Sequence, residues 1–252
     1  MSKLKVGLAG FGKAGKAVAS VVLQNTDYFL EWVLRKSTQL EYRSVSEFLG
    51  IPSNEPGLIY SISNVDIEDL LDKHPVDIII DFSSQSGIYF YGDAAGNRNV
   101  TIISAISHYG EEEKKRLNEL SKKTVVFWSP NITLGVNYLL ISAKYLKKIA
   151  PWVDIEIVEE HFKGKEGVSG TAIKIANVLD INESEINSIR VGGIVGKHEV
   201  IFGFPFQTVR LIHESISREA FGNGALFVAG NLVGKENGFY NFEDILMQQL
   251  RE

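Results

Sequence analysis

The stretch Lys5-Val6-Gly7-Leu8-Ala9-Gly10-Phe11-Gly12-Lys13-Ala14-Gly15 decides the fold of this chain. Its first part is a short apolar run of the kind found in buried strands, and the residues that follow it continue in a helical pattern. Between the two, glycines permit a tight turn and a close approach of the backbone to a pyrophosphate. A Gly-x-Gly-x-x-Gly segment placed between a strand and a helix predicts a dinucleotide-binding turn.

The rest of the N-terminal half alternates strand-like and helix-like segments. The segments 76–82 (VDIIIDF) and 101–106 (TIISAI) are nearly continuous apolar runs, as expected of strands that are covered by helices on both faces. Alternation of this kind predicts βαβ units and a parallel sheet. We therefore predict an α/β fold whose first part, 1–130, is a Rossmann-like dinucleotide-binding domain.

The sequence pattern changes at Ser129-Pro130-Asn131. A long amphipathic helix is predicted at 136–150, and the segments after it, such as 153–161, have alternating faces typical of an antiparallel or mixed sheet. We predict an α+β substrate-binding and oligomerisation domain at 131–223, with a helical segment, 224–252, that returns to the first domain. Another copy of the chain is the simplest cover for the open sheet face, so we expect a homo-oligomer.

Composition excludes several classes of function. The chain has 252 residues, of which 44% are apolar, enough for a substantial core. A net charge of −5 gives no support to nucleic acid or an anionic membrane as the partner. Cysteine is absent and the five histidines lack ligand spacing, so neither a disulfide nor a metal site is predicted. No leader or bilayer-spanning run is recognisable, and we expect a cytoplasmic protein.

The first candidates for cofactor binding are Gly10, Phe11, Gly12, Lys13, Ala14, Gly15, Arg35 and Lys36. About 20 residues after the fingerprint, NAD-binding proteins carry an acid that binds the ribose hydroxyls. Arg35 and Lys36 stand there instead, and cations favour the 2′-phosphate of NADP. We therefore expect NADPH as the cofactor, with NADH possible. The alternative is that the two cations belong to a solvated surface loop.

A second informative segment, EEHFKGKEGVSGTA, runs from Glu159 to Ala172. Ser169 is a good N-cap for the helix that follows, and the free amides and positive dipole end of a helix can hold a carboxylate. His161 and Lys165 precede it and can supply protons. Taken alone, such a pair is more often found on a surface, but its place on a glycine-flanked loop before a capped helix favours catalysis.

Further motifs accompany the fingerprint and the SGTA loop in one order: Asp81-Phe82-Ser83, SPNITLGVN at 129–137 and HESISREAFGNGAL at 213–226. Together they make the chain resemble dihydrodipicolinate reductase, also called 4-hydroxy-tetrahydrodipicolinate reductase, nearly from end to end. The resemblance implies NAD(P)H-dependent reduction of 4-hydroxy-tetrahydrodipicolinate to tetrahydrodipicolinate on the diaminopimelate route to lysine. It also implies a Rossmann domain, an α+β domain and a homotetramer.

The resemblance assigns roles residue by residue. His161 matches the catalytic histidine of the family, and Lys165 matches its proton donor. The positions implied to bind substrate are Phe162, Ser169, Gly170 and Thr171. The loops implied to border the nicotinamide contain Ser104, Ala105, Ile106, Ser129, Pro130, Asn131 and Ile132.

Three departures from the family pattern fall on the substrate pocket. Phe162 replaces the second histidine of a pair, Ile106 lies in a loop that is Gly-Thr-Thr-Gly in the family, and Glu166-Gly167-Val168 replaces Asp-Ala-Pro. Phe162 can neither donate a hydrogen bond to a carboxylate nor carry charge. Two alternatives therefore stay open: a related NAD(P)H-dependent imine or amino-acid dehydrogenase with another substrate, and a non-catalytic dinucleotide-binding protein. For an enzyme, the expected substrate is a small dicarboxylate or imine.

Overall fold

The computed structural model describes residues 3–55 and 57–250. In this part of the chain the strands are β1 (Leu4–Ala9), β2 (Tyr28–Arg35), β3 (Leu58–Ser61), β4 (Ile78–Asp81), β5 (Thr101–Ser104), β6 (Val125–Trp128), β7 (Asp154–His161), β8 (Ile186–Arg190), β9 (Lys197–Phe204), β10 (Gln207–Glu214) and β11 (Gly238–Tyr240). The α-helices are α1 (Lys13–Leu23), α2 (Val45–Leu49), α3 (Ile67–Lys73), α4 (Gly87–Asn97), α5 (Glu111–Leu120), α6 (Leu134–Ile149), α7 (Gly170–Leu179), α8 (Glu219–Leu232) and α9 (Phe242–Gln249).

The chain divides into two compact units, Met1–Ile132 with Phe221–Glu252, and Thr133–Ala220. The first unit contains a seven-stranded sheet in the order β11-β6-β5-β4-β1-β2-β3, in which the paired strands are parallel. The order 3-2-1-4-5-6 within it is that of a doubly wound dinucleotide-binding fold. The predicted Rossmann-like class of the first domain is thereby confirmed.

The centre of the first sheet is covered on both faces. All four residues of β4 are buried, and so are the last four of β1, which explains why both strands read as apolar runs without alternation. The core on one side of this sheet is built around two large fully buried side chains, Trp32 and Tyr91, with Ile79 of β4 and Ile102 of β5.

The second unit is an α+β arrangement, as predicted. Its four-stranded sheet has the order β10-β9-β7-β8, with β7 and β8 parallel and the other pairs antiparallel. One core joins α6 and α7 to a face of this sheet, with Leu139, Ile175 and Phe202 among its members. Side chains that point the other way are less covered, and Ile212 on β10 is 55% exposed. The alternating pattern in the sequence therefore corresponds to one sheet face packed against helices and one face that is more exposed.

The C-terminal segment differs from the prediction in one element. It was expected to be helical throughout, but β11 interrupts it between α8 and α9. Three residues are too few to show a strand period, and β11 forms because the edge of β6 offers it a parallel partner.

Among the described residues, no helix is long and apolar enough to cross a membrane.

A glycine on β1 makes room for the buried indole of Trp32. The two residues pair across β1 and β2, and a Cβ atom added at Gly7 would lie 2.2 Å from Cη2 of that ring. The indole cannot easily yield, because it has 0% exposure and its Nε1 donates to the carbonyl of His74 at 3.0 Å.

Gly7→Ala is therefore expected to lower the free energy of unfolding by about 1–3 kcal/mol, the usual effect of overpacking a core. Urea denaturation measures the change. The matched control is Gly203→Ala on β9, where an added Cβ would have its nearest neighbours at 3.8 Å. Equal losses in the two variants would contradict the steric explanation.

Candidate active site

The glycine-rich turn between β1 and α1 is closed by backbone packing. Gly10 has a φ of +96°, and a Cβ atom there would lie 2.6 Å from the carbonyl of Phe82. A Cβ at Gly15 would lie 2.0 Å from the carbonyl oxygen of Gly10. Gly12 is the N-cap of α1, has no side-chain cap, and has nothing within 4 Å of its added Cβ. The turn thus leaves the first amides of α1 open towards a space that fits an anion such as a pyrophosphate.

A cleft of about 510 Å³ lies beside this turn, within the usual size range of small-ligand sites. It brings together several predicted cofactor residues, namely Gly10, Phe11, Gly12, Arg35 and Lys36, with Ser37 and Ile62. Lys13 and Gly15 are outside its lining, and Gly15 acts instead by packing against Gly10. The two cations at the end of β2 therefore face the same cleft as the fingerprint.

A second cleft lies at the carboxyl ends of β4 and β5, where parallel sheets commonly bind ligands. Its lining includes three predicted residues, Ala14, Ala105 and Ile106, and also His108. Both clefts share the loop Phe82–Ser84. The fingerprint helix and the loop after β5 therefore contribute to neighbouring parts of one ligand-binding edge.

The remaining predicted cofactor residues occupy supporting positions. Ser104 is buried and its hydroxyl is 2.8 Å from that of Tyr109. The Ser129 amide donates to the Ser104 carbonyl at 3.1 Å, and its hydroxyl donates to the Asn131 carbonyl at 2.6 Å. Ile132 is buried, whereas Pro130 is exposed. Ser129, Pro130, Asn131 and Ile132 lie outside the lining of both clefts.

In the second unit, His161 ends β7 with a buried imidazole. Its Nδ1 is hydrogen-bonded to Glu159, which also accepts from Ser188 Oγ at 2.6 Å and from Arg190. Burial opposes ionisation of Glu159, but the hydrogen bonds from Arg190, Ser188 and His161 outweigh it and lower the pKa to about 2. Because the carboxylate is ionised, Nδ1 of His161 donates, and Nε2 is the ring atom left for other work.

The surroundings of His161 leave space at Nε2 and hold the adjacent loop in place. The absence of a side chain at Gly196 leaves that space, since a Cβ atom there would be 3.0 Å from Nε2 of His161. The loop after β7 is held in place by its backbone: the Lys165 amide donates to the Phe162 carbonyl at 3.0 Å, and the Lys165 carbonyl accepts from Nε of Arg190 at 3.1 Å. Arg190 therefore fixes both Glu159 and the loop that carries the predicted proton donor.

The start of α7 is the third part of the site. Ser169 is its N-cap, and the hydroxyl accepts from the Ala172 amide at 3.0 Å. Gly170 is exposed and has open space around its added Cβ, while Thr171 is half-buried. First-turn amides and the positive end of the helix dipole suit a carboxylate here. Phe162, the other predicted substrate residue, is 46% exposed.

The structure adds one residue that the sequence interpretation missed. His198 is not among the residues predicted for the site, yet its Nε2 is 2.8 Å from the hydroxyl of Ser169. Its ring centroid is 5.4 Å from that of His161, in an edge-to-face arrangement. The pairing of β9 with β7 produces these contacts by setting His198 opposite Glu159, and no local motif reveals such a register.

Among the described residues, no group of three or more histidine, cysteine, aspartate or glutamate side chains is arranged to hold a metal ion.

Comparison with known proteins identifies the family in both units. Models of the dihydrodipicolinate reductase N-terminus and C-terminus match residues 4–132 and 133–246. The 4-hydroxy-tetrahydrodipicolinate reductase of Caldanaerobacter subterraneus is 32% identical, over 93% of this chain and 94% of that protein. The protein of the same name from Thermosipho africanus is 35% identical, over 73% of this chain and 85% of its own length.

Two solved structures share the fold of this chain. A dipicolinate-bound dihydrodipicolinate reductase from Paenisporosarcina superposes with a TM-score of 0.80 and 20% identity, covering 96% of this chain and 98% of the other. An amine dehydrogenase from Mycobacterium smegmatis shares the fold with a TM-score of 0.64 and 9% identity, over 95% of each chain. With both family models matched across nearly the whole sequence, the chain belongs to the dihydrodipicolinate reductase family.

Proposed function

We propose that this protein reduces 4-hydroxy-tetrahydrodipicolinate to tetrahydrodipicolinate with NAD(P)H and a proton, releasing water and NAD(P)⁺, on the diaminopimelate route to lysine. The observation that carries the proposal is the pairing of His161 with an ionised Glu159, in the unit that also presents an open, capped helix start for a carboxylate. The family match favours this reaction over an imine or amino-acid dehydrogenase with another substrate, and over a protein that binds dinucleotides without turnover.

The bound nicotinamide cofactor would supply the hydride. The chain supplies two proton donors and a binding site for a substrate carboxylate. His161 in its doubly protonated form delivers the Nε2 proton to the substrate, because the Nδ1 proton stays hydrogen-bonded to Glu159. Lys165, half-buried on the loop held by Arg190, supplies a second cation and proton donor. The first-turn amides of α7 hold a substrate carboxylate.

Two departures from the family pattern have different weights. Ile106 is 8% exposed, belongs to the core cluster of the first unit, and offers its backbone carbonyl to Trp128 Nε1 at 2.9 Å. Its apolar side chain thus has a packing role. Phe162 is 46% exposed and gives a substrate carboxylate no hydrogen bond. The binding of that carboxylate therefore depends more heavily on Lys165 and the start of α7.

For the cofactor we propose a preference for NADPH, with NADH as a weaker alternative. Support comes from the cleft beside the fingerprint, where Arg35 and Lys36 stand at the end of β2 in place of a carboxylate. Half-buried Arg35 has its Nη1 3.4 Å from the carbonyl of Gln39, a weak contact that leaves the guanidinium able to bind a 2′-phosphate.

We further propose that the protein acts in the cytoplasm as a homo-oligomer, a homotetramer by family resemblance. The support for assembly is the outer face of the sheet in the second unit, where Ile212 is 55% exposed and the apolar side chains of Val158 and Ile201 are only partly covered. A second copy would remove this face from water.

His161→Gln is expected to lower kcat about 100-fold or more while leaving the Kd of NADPH unchanged, because it removes a proton donor outside the cofactor unit. Steady-state NADPH oxidation and a cofactor titration measure the two quantities. His74→Gln, which changes a histidine paired with Glu31 in the first unit, is the control and should keep its turnover. Unchanged turnover in His161→Gln would refute the assigned role.

Glu159→Gln is expected to lower the free energy of unfolding at pH 7 by about 3 kcal/mol, because Arg190 loses a buried counter-charge. The extra free energy of unfolding of the wild type is fully present above pH 4.5, the ordinary pKa of the carboxyl. It disappears as the pH falls towards about 2, the pKa of Glu159 in the folded protein. Chemical denaturation at several pH values measures the difference. Glu160→Gln, which breaks the more exposed pair with Lys197, should cost less than about 1 kcal/mol. The explanation would be contradicted if both variants lost similar free energies of unfolding, or if the difference between wild type and Glu159→Gln did not shrink in acid.

Replacing Arg35 and Lys36 together by alanine is expected to raise the KM of NADPH about 10- to 100-fold and to leave that of NADH nearly unchanged. Initial rates with each cofactor measure the effect. The control replaces another adjacent cation pair of the same unit, Lys122 and Lys123, by alanine. A parallel rise for both cofactors would show that the cations do not read the 2′-phosphate.

A further inference from the structure

A row of polar side chains crosses the sheet of the second unit at one register. His213 on β10 pairs with His198 on β9, His198 pairs with Glu159 on β7, and Glu159 pairs with Ser188 on β8. Glu159 in this row binds His161, which is the proposed proton donor. His198 binds Ser169, which caps the helix that presents the carboxylate site. The row thus connects the two halves of the proposed substrate site within this unit.

The direction of the hydrogen bond between Ser169 and His198 depends on the protonation of the imidazole. The Ser169 oxygen accepts from the Ala172 amide and still has its own proton to donate, and Nε2 of His198 lies 2.8 Å away. Only a neutral imidazole can accept at this atom. Burial lowers the pKa of His198 to about 4, and the neighbouring rings of His161 and His213 add to the effect. At neutral pH the ring is therefore uncharged, and with its proton on Nδ1 it accepts from the Ser169 hydroxyl at Nε2.

The imidazole of His198 is not the side chain that packing alone would favour. It is 5% exposed, and its Nδ1 is buried without a hydrogen-bond partner among the described residues. A buried polar atom in this state destabilises the fold, and an aromatic hydrocarbon ring of similar shape would avoid that cost. A side chain that breaks a local rule of stability is expected where function requires it.

We propose that His198 is a positioning residue for substrate: by accepting from the Ser169 hydroxyl, it fixes the cap of α7 and so aims the amides of Gly170 and Thr171 at a substrate carboxylate. The inference rests on the proposed function, because it concerns the same carboxylate site. His198 acts through Ser169 and touches no reacting atom. Loss of this bond leaves the Ser169 side chain held by the Ala172 amide alone, so the cap orients the first turn of α7 less tightly.

The test measures the Kd of pyridine-2,6-dicarboxylate, a stable dicarboxylate probe, for the full-length protein saturated with NADPH. His198→Phe keeps an aromatic ring but removes the hydrogen-bond acceptor, and should raise the Kd of the probe about tenfold. His198→Gln keeps an acceptor near the same place and should stay within about threefold of wild type. His213→Phe is the matched control, since it alters the next ring in the row and should not change the Kd.

The double variant shows whether His198 works through Ser169. If it does, His198→Phe adds no further loss to Ser169→Ala, and the Kd of NADPH stays constant throughout. Imidazole ¹⁵N NMR of the wild-type protein supplies a second readout that needs no folded His198→Phe protein. It should show His198 protonated on Nδ1, with the Nε2 signal shifted in Ser169→Ala.

Several results would overturn the inference. These are an unchanged Kd in His198→Phe, additive losses in the double variant, no rescue by His198→Gln, or an Nε2-protonated ring at neutral pH. Failure of the wild-type protein both to bind the probe and to oxidise NADPH with the proposed substrate would instead contradict the proposed function, and would remove the inference with it. Binding by the wild type with equal binding by His198→Phe removes the inference alone.

Discussion

A carboxylate without solvent contact must be matched by charge and hydrogen bonds, and Glu159 is such a group, with 0% exposure. Arg190 neutralises it, Ser188 and His161 complete its hydrogen bonds, and Arg190 also holds the loop after β7 through the carbonyl of Lys165. The orientation of the imidazole, with Nδ1 towards the carboxylate and Nε2 away from it, follows from this one ionised group. Arg190 links the same group to the loop.

The first unit meets an analogous constraint with a different balance. Asp81 at the end of β4 is also fully buried, but its partners are neutral: the amide of Ser83 at 2.8 Å and the hydroxyl of Tyr91 at 2.7 Å. Burial therefore raises its pKa, in contrast to Glu159, whose arginine partner lowers it. The network holds the loop Phe82–Ser84 that both clefts share, so a rigid polar anchor underlies the cofactor edge.

The parts of this protein that could be predicted from sequence are those determined by neighbouring residues. The fingerprint from Gly10 to Gly15 needs only a strand, a turn and a helix in succession, and the cap at Ser169 needs only the next helical turn. The bond from Ser169 to His198 spans 29 residues, and that from Glu159 to Arg190 spans 31. Both depend on strand register, which the local pattern does not specify.

The same distinction explains the two differences in detail. Strand β11 is three residues long and exists because β6 has a free edge, so its cause lies far from its own sequence. Ile106 stood out as a change in a pocket loop, yet its burial in the first core depends on helices that a loop motif does not reveal. Fold class and candidate residues could be read from the sequence, whereas their partners required three-dimensional placement.

The most direct measurement is NADPH oxidation by the purified protein when 4-hydroxy-tetrahydrodipicolinate is generated enzymatically in the same cuvette. We expect NADPH oxidation to begin only when this substrate forms. One tetrahydrodipicolinate should be produced for each NADPH oxidised. Tight NADPH binding with no oxidation under these conditions, alongside turnover of another imino or keto acid, would show that the substrate is different.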